Sequence, residues 1–164
     1  MERQSSIGPL LTENAGEFRD ALPDGGVLLG LDLGTKTIGI AIADAGWSFA
    51  TAGKTLAKSK FGADRSALEA ICKTRGVKGI VIGLPLNMDG TSGPRAQASR
   101  SYARNLLQLG LPVLLWDERW STTSAERDMI AQDFSRAKRA TMIDSHAAAV
   151  ILQGAIDRLA GGIL

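Results

Sequence analysis

The chain is poor in the residues that thiol and imidazole chemistry require. Cys72 is its only cysteine, so no internal disulfide can form and a thiolate metal cluster is excluded. A small buried site is the expected place for that side chain. His146 is its only histidine, which excludes a histidine-rich metal centre. No run approaches the roughly 20 apolar residues of a membrane span. The amino terminus lacks the basic-then-apolar pattern of a secretory signal. Repeats and low-complexity tracts are absent too. A formal net charge of +2 is too small to imply a nucleic-acid partner by itself, so the distribution of charge matters more than its sum. These absences leave one ordinary globular domain of 164 residues, expected in a reducing cytoplasm and away from membranes.

What the chain does have is organised around Leu28–Asp44, LLGLDLGTKTIGIAIAD. Two β-rich runs are joined by Gly34-Thr35-Lys36, which predicts a hairpin. Asp32 breaks the first run between Leu31 and Leu33. An aspartate at the end of a buried strand is costly unless its charge is used, and a metal ion is a common use.

Residues 1–26 are polar and carry Pro9, Pro23 and the Gly25-Gly26 pair. They read as a mobile extension with one short helical turn near Glu13–Ala21, and residues 27–164 as the folded domain. Val27–Leu33, Lys36–Ala43 and Thr51–Ala57 predict an antiparallel meander. Asp64–Arg75 has helical spacing and ends at Gly76. Lys78–Leu84 is an apolar strand of the doubly buried kind. Pro85–Pro94 is a loop, Arg95–Leu109 a helix and Leu111–Trp116 a fifth strand. A helix is expected from Ser121, where Thr123 and Glu126 have capping-box spacing. Asp133–Thr141 reads as a polar, basic loop and Met142–Leu159 as the last helix. This order predicts an α/β fold: a mixed five-stranded sheet, three antiparallel strands then two parallel ones, flanked by helices.

Three acids stand where strand ends and a helix start meet: Asp32, Glu118 and Asp144. Capping alone accounts for an acid in a first helical turn, and Glu118 could simply pair with Arg119. Together, at the rim where open α/β sheets build their sites, three carboxylates can bind Mg²⁺ or Mn²⁺, which prefer oxygen ligands. Two such ions can clamp the attacking and leaving oxygens of a phosphodiester. Lys36, Arg95, Arg100, Arg104, Arg119, Arg127, Arg136, Lys138 and Arg139 lie around this rim and could neutralise phosphates. Trp120, next to Glu118, is the better candidate for stacking on a base, whereas Trp116 reads as core.

Four segments, LLGLDLGTKTIGIAIAD, VIGLPLNMDGTSGPRAQ, LLWDERWSTTSAER and IDSHAAAVILQ, occur in the order found in the RuvX/YqgF family. The chain closely resembles these RNase H-like proteins of the Holliday-junction-resolvase type from about Val27 to Leu159. The resemblance implies an RNase H-like fold, a divalent-metal nuclease site and a bacterial cytoplasmic location. It also implies a role at the 5′ end of the 16S rRNA precursor, with precursor RNA and ribosomal particles as partners and a monomeric or homodimeric state. The acidic triad falls on Asp32, Glu118 and Asp144. The family loop falls on Leu84–Gly93, placing Asn87 with Lys36, Arg95, Arg119, Lys138 and Arg139 as substrate-binding candidates. Dedicated resolvases of the RuvC type carry an acid after the fourth strand and another ligand one turn before the final aspartate. Here those positions hold Gly83-Leu84-Pro85 and Thr141, which speaks against cutting of branched DNA. Two rivals remain: a non-catalytic RNA-binding factor of the small ribosomal subunit, and a sugar-kinase-like ATPase suggested by LDLGTKT. The second would need two such halves, and this chain has room for one.

Overall fold

A computed structural model describes residues 9–120 and 136–161, with side chains in the second stretch from His146 onward. Its centre is a six-stranded sheet. The strands are β1 (Leu11–Thr12), β2 (Val27–Leu33), β3 (Thr37–Ala43), β4 (Ala50–Ala57), β5 (Val77–Leu84) and β6 (Val113–Asp117). They lie in the order β1-β6-β5-β2-β3-β4. The helices are α1 (Ala15–Asp20), α2 (Phe61–Arg75), α3 (Pro94–Leu106) and α4 (Arg136–Ala160).

β2, β3 and β4 form the antiparallel meander, and β5 and β6 join parallel to β2 through the crossovers that contain α2 and α3. A parallel strand with neighbours on both sides has no solvent face, so β5 is buried from Gly79 to Leu84. β4 lies at the open edge, is largely exposed and carries Lys54, a charge of the kind that discourages edge pairing. Pro94 opens α3 at a position whose N–H has no helical partner anyway. Gly76 closes α2 in the left-handed conformation, φ 65°.

The sheet separates two cores. Leu29, Leu31, Leu33, Ile80 and Ile82 face α2 and α3. Leu28, Val81, Leu114 and Trp116 face α1 and α4. From α4, Ile151, Leu152, Ile156 and Leu159 are buried, with Ala148 and Ala155 allowing close approach. Burying four large aliphatic side chains is worth roughly 6–12 kcal/mol, as much as the net stability of a typical domain. α4 is therefore fixed to the sheet.

This is the expected RNase H-like arrangement with one strand more than the five predicted. The extra strand, Leu11–Thr12, comes from the segment read as a mobile extension. It pairs with β6, and the α1 that follows buries Phe18 completely and Leu22 nearly so. Residues 9–26 are thus a docked part of the domain. A two-residue strand carries no readable periodicity, which is why the pattern hid it.

A second correction concerns α4. Residues 136–141 were read as loop, yet the helix begins at Arg136. Arg136, Ala137, Lys138, Arg139 and Ala140 are all strong helix formers, and the stretch contains no Gly or Pro to stop it. Asp144 therefore lies in the ninth position of the helix, and first-turn capping does not account for it. The helix expected from Ser121, with Thr123, Glu126 and Arg127, lies outside the described residues. Among the described residues, no helix is long and apolar enough to cross a membrane.

Candidate active site

Side chains alternate across a strand, and parallel register carries that alternation to the neighbour. Leu31 of β2 is paired with Ile82 of β5, so Asp32 and Gly83 are next to each other at the carboxyl ends of the two strands. Gly83 in turn is paired with Trp116 of β6. Asp32 has the same facing as Gly30, and Gly30 lies against Leu152 and the Ala148 carbonyl of α4. Asp32 is therefore on the α4 face, where it is 4% exposed.

Glu118 reaches the same face from the other side. It opens a 3-10 turn, Glu118–Trp120, directly after β6. Its carboxylate lies above Gly83, with Oε2 2.8 Å from where a Cβ on that residue would be. The absent side chain at 83 is what lets Glu118 lie over the end of β5. Ile151 of α4 closes over the same spot, its Cδ1 2.7 Å from that Cβ position. Asp32 and Glu118 both have further polar partners in the structure.

Asp144 is four residues ahead of Ala148 and seven ahead of Ile151, one and two helical turns before the residues that pack on Gly30 and Gly83. Its side chain is outside the described residues, as are those of Lys138 and Arg139. Among the described residues, no three His, Cys, Asp or Glu side chains are grouped closely enough to hold a metal. Asp32 and Glu118 are two carboxylates with no sulfur or imidazole beside them among the predicted ligands. That donor set fits a hard cation such as Mg²⁺ or Mn²⁺.

The basic candidates divide by what they hold. Arg95 donates from Nη2 to the Leu33 carbonyl (3.3 Å), and Lys58 donates from Nζ to the Gly34 carbonyl (3.2 Å). Two cations thus tie down the turn that follows Asp32. Lys58 was not among the predicted site residues. It passes 5.5 Å above the Tyr102 ring, whose hydroxyl donates to Asp64 (3.1 Å). Burial, reinforced by the Asp64 charge, pushes the Tyr102 hydroxyl well above its ordinary pKa. Lys36 is exposed in the turn itself.

Arg119 pairs with Asp117, not Glu118. Its Nε lies 3.1 Å from both Asp117 oxygens and Nη2 is 2.7 Å from Oδ2. Nη1 donates to the Met88 carbonyl (3.2 Å), so the guanidinium joins the end of β6 to the loop after β5. Burial works against ionisation of Asp117, but hydrogen bonds and charge from Arg119 outweigh it and hold the carboxyl below its usual range. The loop has its own frame. Asn87 donates to the Thr91 hydroxyl (2.9 Å) and Asp89 accepts from the Thr91 N–H (2.9 Å) and hydroxyl (2.7 Å). Gly90 supplies a φ of 88° at the tip, strained for any residue with a Cβ. Asn87 is thus a loop-shaping residue, and Met88 stands out beside it, 89% exposed. Arg100 is engaged by Glu13 and by the Ser92 hydroxyl (3.2 and 3.3 Å).

Trp116 is core, as expected, and Trp120 is 69% exposed. His146 is half-buried and engaged. Cys72 is buried, and desolvation, with Glu69 nearby, raises its thiol pKa to about 11.

Residues 26–158 match the family described as "RuvX: Holliday junction resolvase". A Novosphingobium aromaticivorans protein bearing the name pre-16S rRNA nuclease is 66% identical over 93% of this chain and 98% of its own length. One of the same name from Sphingopyxis alaskensis is 61% identical over 92% of this chain and 99% of its own. The solved structure of T. thermophilus RuvC in complex with a Holliday junction substrate shares the fold. It gives a TM-score of 0.52 at 13% identity, over 80% of this chain and 94% of RuvC. With most of its length matched by that family and by these relatives, the chain belongs to the RuvX family.

Proposed function

We propose that this protein is a divalent-metal-dependent nuclease that hydrolyses phosphodiester bonds in the precursor of small-subunit rRNA, in the cytoplasm. One observation carries the chemistry. Asp32, near the end of β2, and Glu118, just past β6, lie on one face of the sheet on either side of β5, and Gly83 between them leaves the room. Asp144, on the helix that packs on that face, would be the third oxygen ligand for Mg²⁺ or Mn²⁺. Such an ion, when bound, would acidify a water and offset charge on the phosphate.

The chain's own residues do the rest. Asp32 and Glu118 offer oxygen acceptors at strand ends on either side of β5; a phosphate, itself an anion, would be held beside them through the bound cation and not by the carboxylates directly. Arg95 and Lys58 hold the turn after Asp32 through its carbonyls, which keeps the aspartate at the strand end. Lys36, exposed in the same turn, would meet a neighbouring phosphate, and Lys138 and Arg139 are the further candidates for that role. In the balanced step a water oxygen adds to phosphorus, one ester P–O bond breaks, and the leaving oxygen takes up a proton.

The names of the relatives favour precursor rRNA, whereas the family description favours four-way DNA junctions. Gly83-Leu84-Pro85, the stretch where the resemblance would lead one to expect the acid of RuvC-type resolvases, favours the RNA reading. The deciding experiment assays the purified parent, Asp32→Asn and Glu118→Gln on a precursor-rRNA fragment and on a four-way junction, with Mn²⁺ and with chelator. The expected result is cutting of the RNA by the parent only, abolished by chelator, with both variants folded. Equal cutting by the Asp32→Asn protein would reject the carboxylate site.

A further inference from the structure

The turn after β6 sends three consecutive side chains in three directions. Glu118 lies over Gly83, Arg119 grips the Met88 loop, and Trp120 lines a cleft of about 320 Å³. That volume is at the lower end of ligand pockets, about 300–1,000 Å³. The cleft lies where the docked amino-terminal segment passes β6, with Glu13 and Asn14 on one side, Trp116 and Asp117 at the strand end, and Arg158 of α4 on another. Glu13 is paired with Arg100 and Asp117 with Arg119, so the exposed Arg158 sets the sign of the wall.

We infer that this cleft takes one unpaired nucleobase of the substrate strand, stacked on Trp120, with Arg158 meeting an adjacent phosphate. This rests on the proposed nuclease function for the identity of the strand. The indole is two residues from Glu118, so a base seated there belongs to a nucleotide near the bond to be cut. A planar π-face accepts any base, and a neighbouring arginine adds charge, the pairing typical of single-strand sites. In a duplex the base faces are already covered by their neighbours. The cleft therefore confers preference for unpaired strand, and the amino-terminal segment forms part of the substrate site.

The test uses the full chain carrying Asp32→Asn, so that nothing is cut, titrated with a 12-nucleotide oligoadenylate and with a blunt RNA duplex of equal length. Tryptophan emission is the readout, because Trp47 and Trp116 are buried and Trp120 is exposed. The single strand is expected to quench the solvent-exposed emission, and the quench to vanish in W120L. The same change weakens single-strand binding roughly tenfold, the lower part of the range for losing one base–aromatic stack, and changes duplex binding less than twofold. Trp120→Phe, which keeps a ring, recovers most of the affinity. Arg158→Gln makes the slope of log affinity against log salt shallower by about 0.7. Unchanged single-strand affinity in W120L, or a Phe variant no better than Leu, overturns the proposal. Cleavage by the chain with Asp32 intact separates the two readings. Quenching without any cleavage leaves the cleft and removes the nuclease, whereas cleavage with an unchanged KM in W120L does the reverse.

Discussion

Gly83 and Glu118 are complementary: a methyl group on the first would stand 2.8 Å from Oε2 of the second. Contacts that short do not persist, so Gly83→Ala must displace the carboxylate, Ile151 or both. Overpacking of this kind costs about 1–3 kcal/mol, which a fixed α4 can absorb. Misplacing a reacting group by about 1 Å can cost on the order of 100-fold in rate. The expected result is a folded protein with a thermal midpoint a few degrees lower and metal-dependent cleavage down roughly 100-fold, close to Glu118→Gln. Thermal unfolding and a cleavage assay on the same preparation check it. Parent-like activity in the alanine variant would show that the position of Glu118 is not critical.

Arg119 and Asp117 make a pH-dependent clasp. The Asp117 carboxyl is lowered in the folded chain, so its contribution is present above the ordinary carboxylate pKa of about 3.9 and is lost as pH falls through the folded value. Asp117→Asn should therefore lower the thermal midpoint at pH 7, and the gap to the parent should close below about pH 4. Arg119→Ala should show the same convergence. It should also speed hydrogen exchange at the Gly90 N–H, which bonds to the Asn87 carbonyl (2.8 Å), because the Met88 carbonyl loses its tie to β6. A gap that widens in acid would contradict the assignment.

Cys72 offers a check on the α2 core. With its thiol raised to about 11, only about one molecule in a thousand is thiolate at pH 8, and the thiolate is the reactive form. Iodoacetamide at pH 8 should leave the native chain unmodified for hours and label it rapidly in denaturant. Mass spectrometry reads the difference. Fast native labelling would mean that the face of α2 against the sheet opens readily.

Much of this arrangement was legible because it rests on periodicity. Val27–Leu33 declared itself as a strand by its apolar run, and Asp32 as its exception. Lys78–Leu84 announced a doubly buried strand, and Trp116 its place in the core. What stayed hidden depends on geometry that residue spacing does not encode. Arg119 stands next to Glu118 in the chain, yet a β-strand end and a 3-10 turn bring Asp117 to its guanidinium. Gly83 read as a departure from the resolvase pattern, and only the register of β5 with β6 reveals it as the floor beneath Glu118. Lys58 gave no signal at all, since a lysine after an edge strand is unremarkable until Gly34 and Tyr102 are placed beside it.

The amino-terminal segment shows how composition misleads at a chain end. Polar residues, prolines and paired glycines suggested mobility, but one side chain decides otherwise. Phe18 has no exposed surface and shares a cluster with Leu28, Trp116, Ile156 and Leu159. Gly79 permits this by leaving its Cβ position 2.9 Å from Phe18 Cζ. Removing a buried phenyl ring costs about 3–5 kcal/mol through lost transfer energy and the cavity left behind. Phe18→Ala should therefore lower the unfolding free energy by that amount in chemical denaturation, as a core substitution does. A mobile arm would change it by less than about 0.5 kcal/mol. Because α1 also lines the cleft beside Trp120, the same variant should weaken single-strand binding while the duplex is bound as before. A variant of parental stability would return residues 9–26 to the status of an appendage.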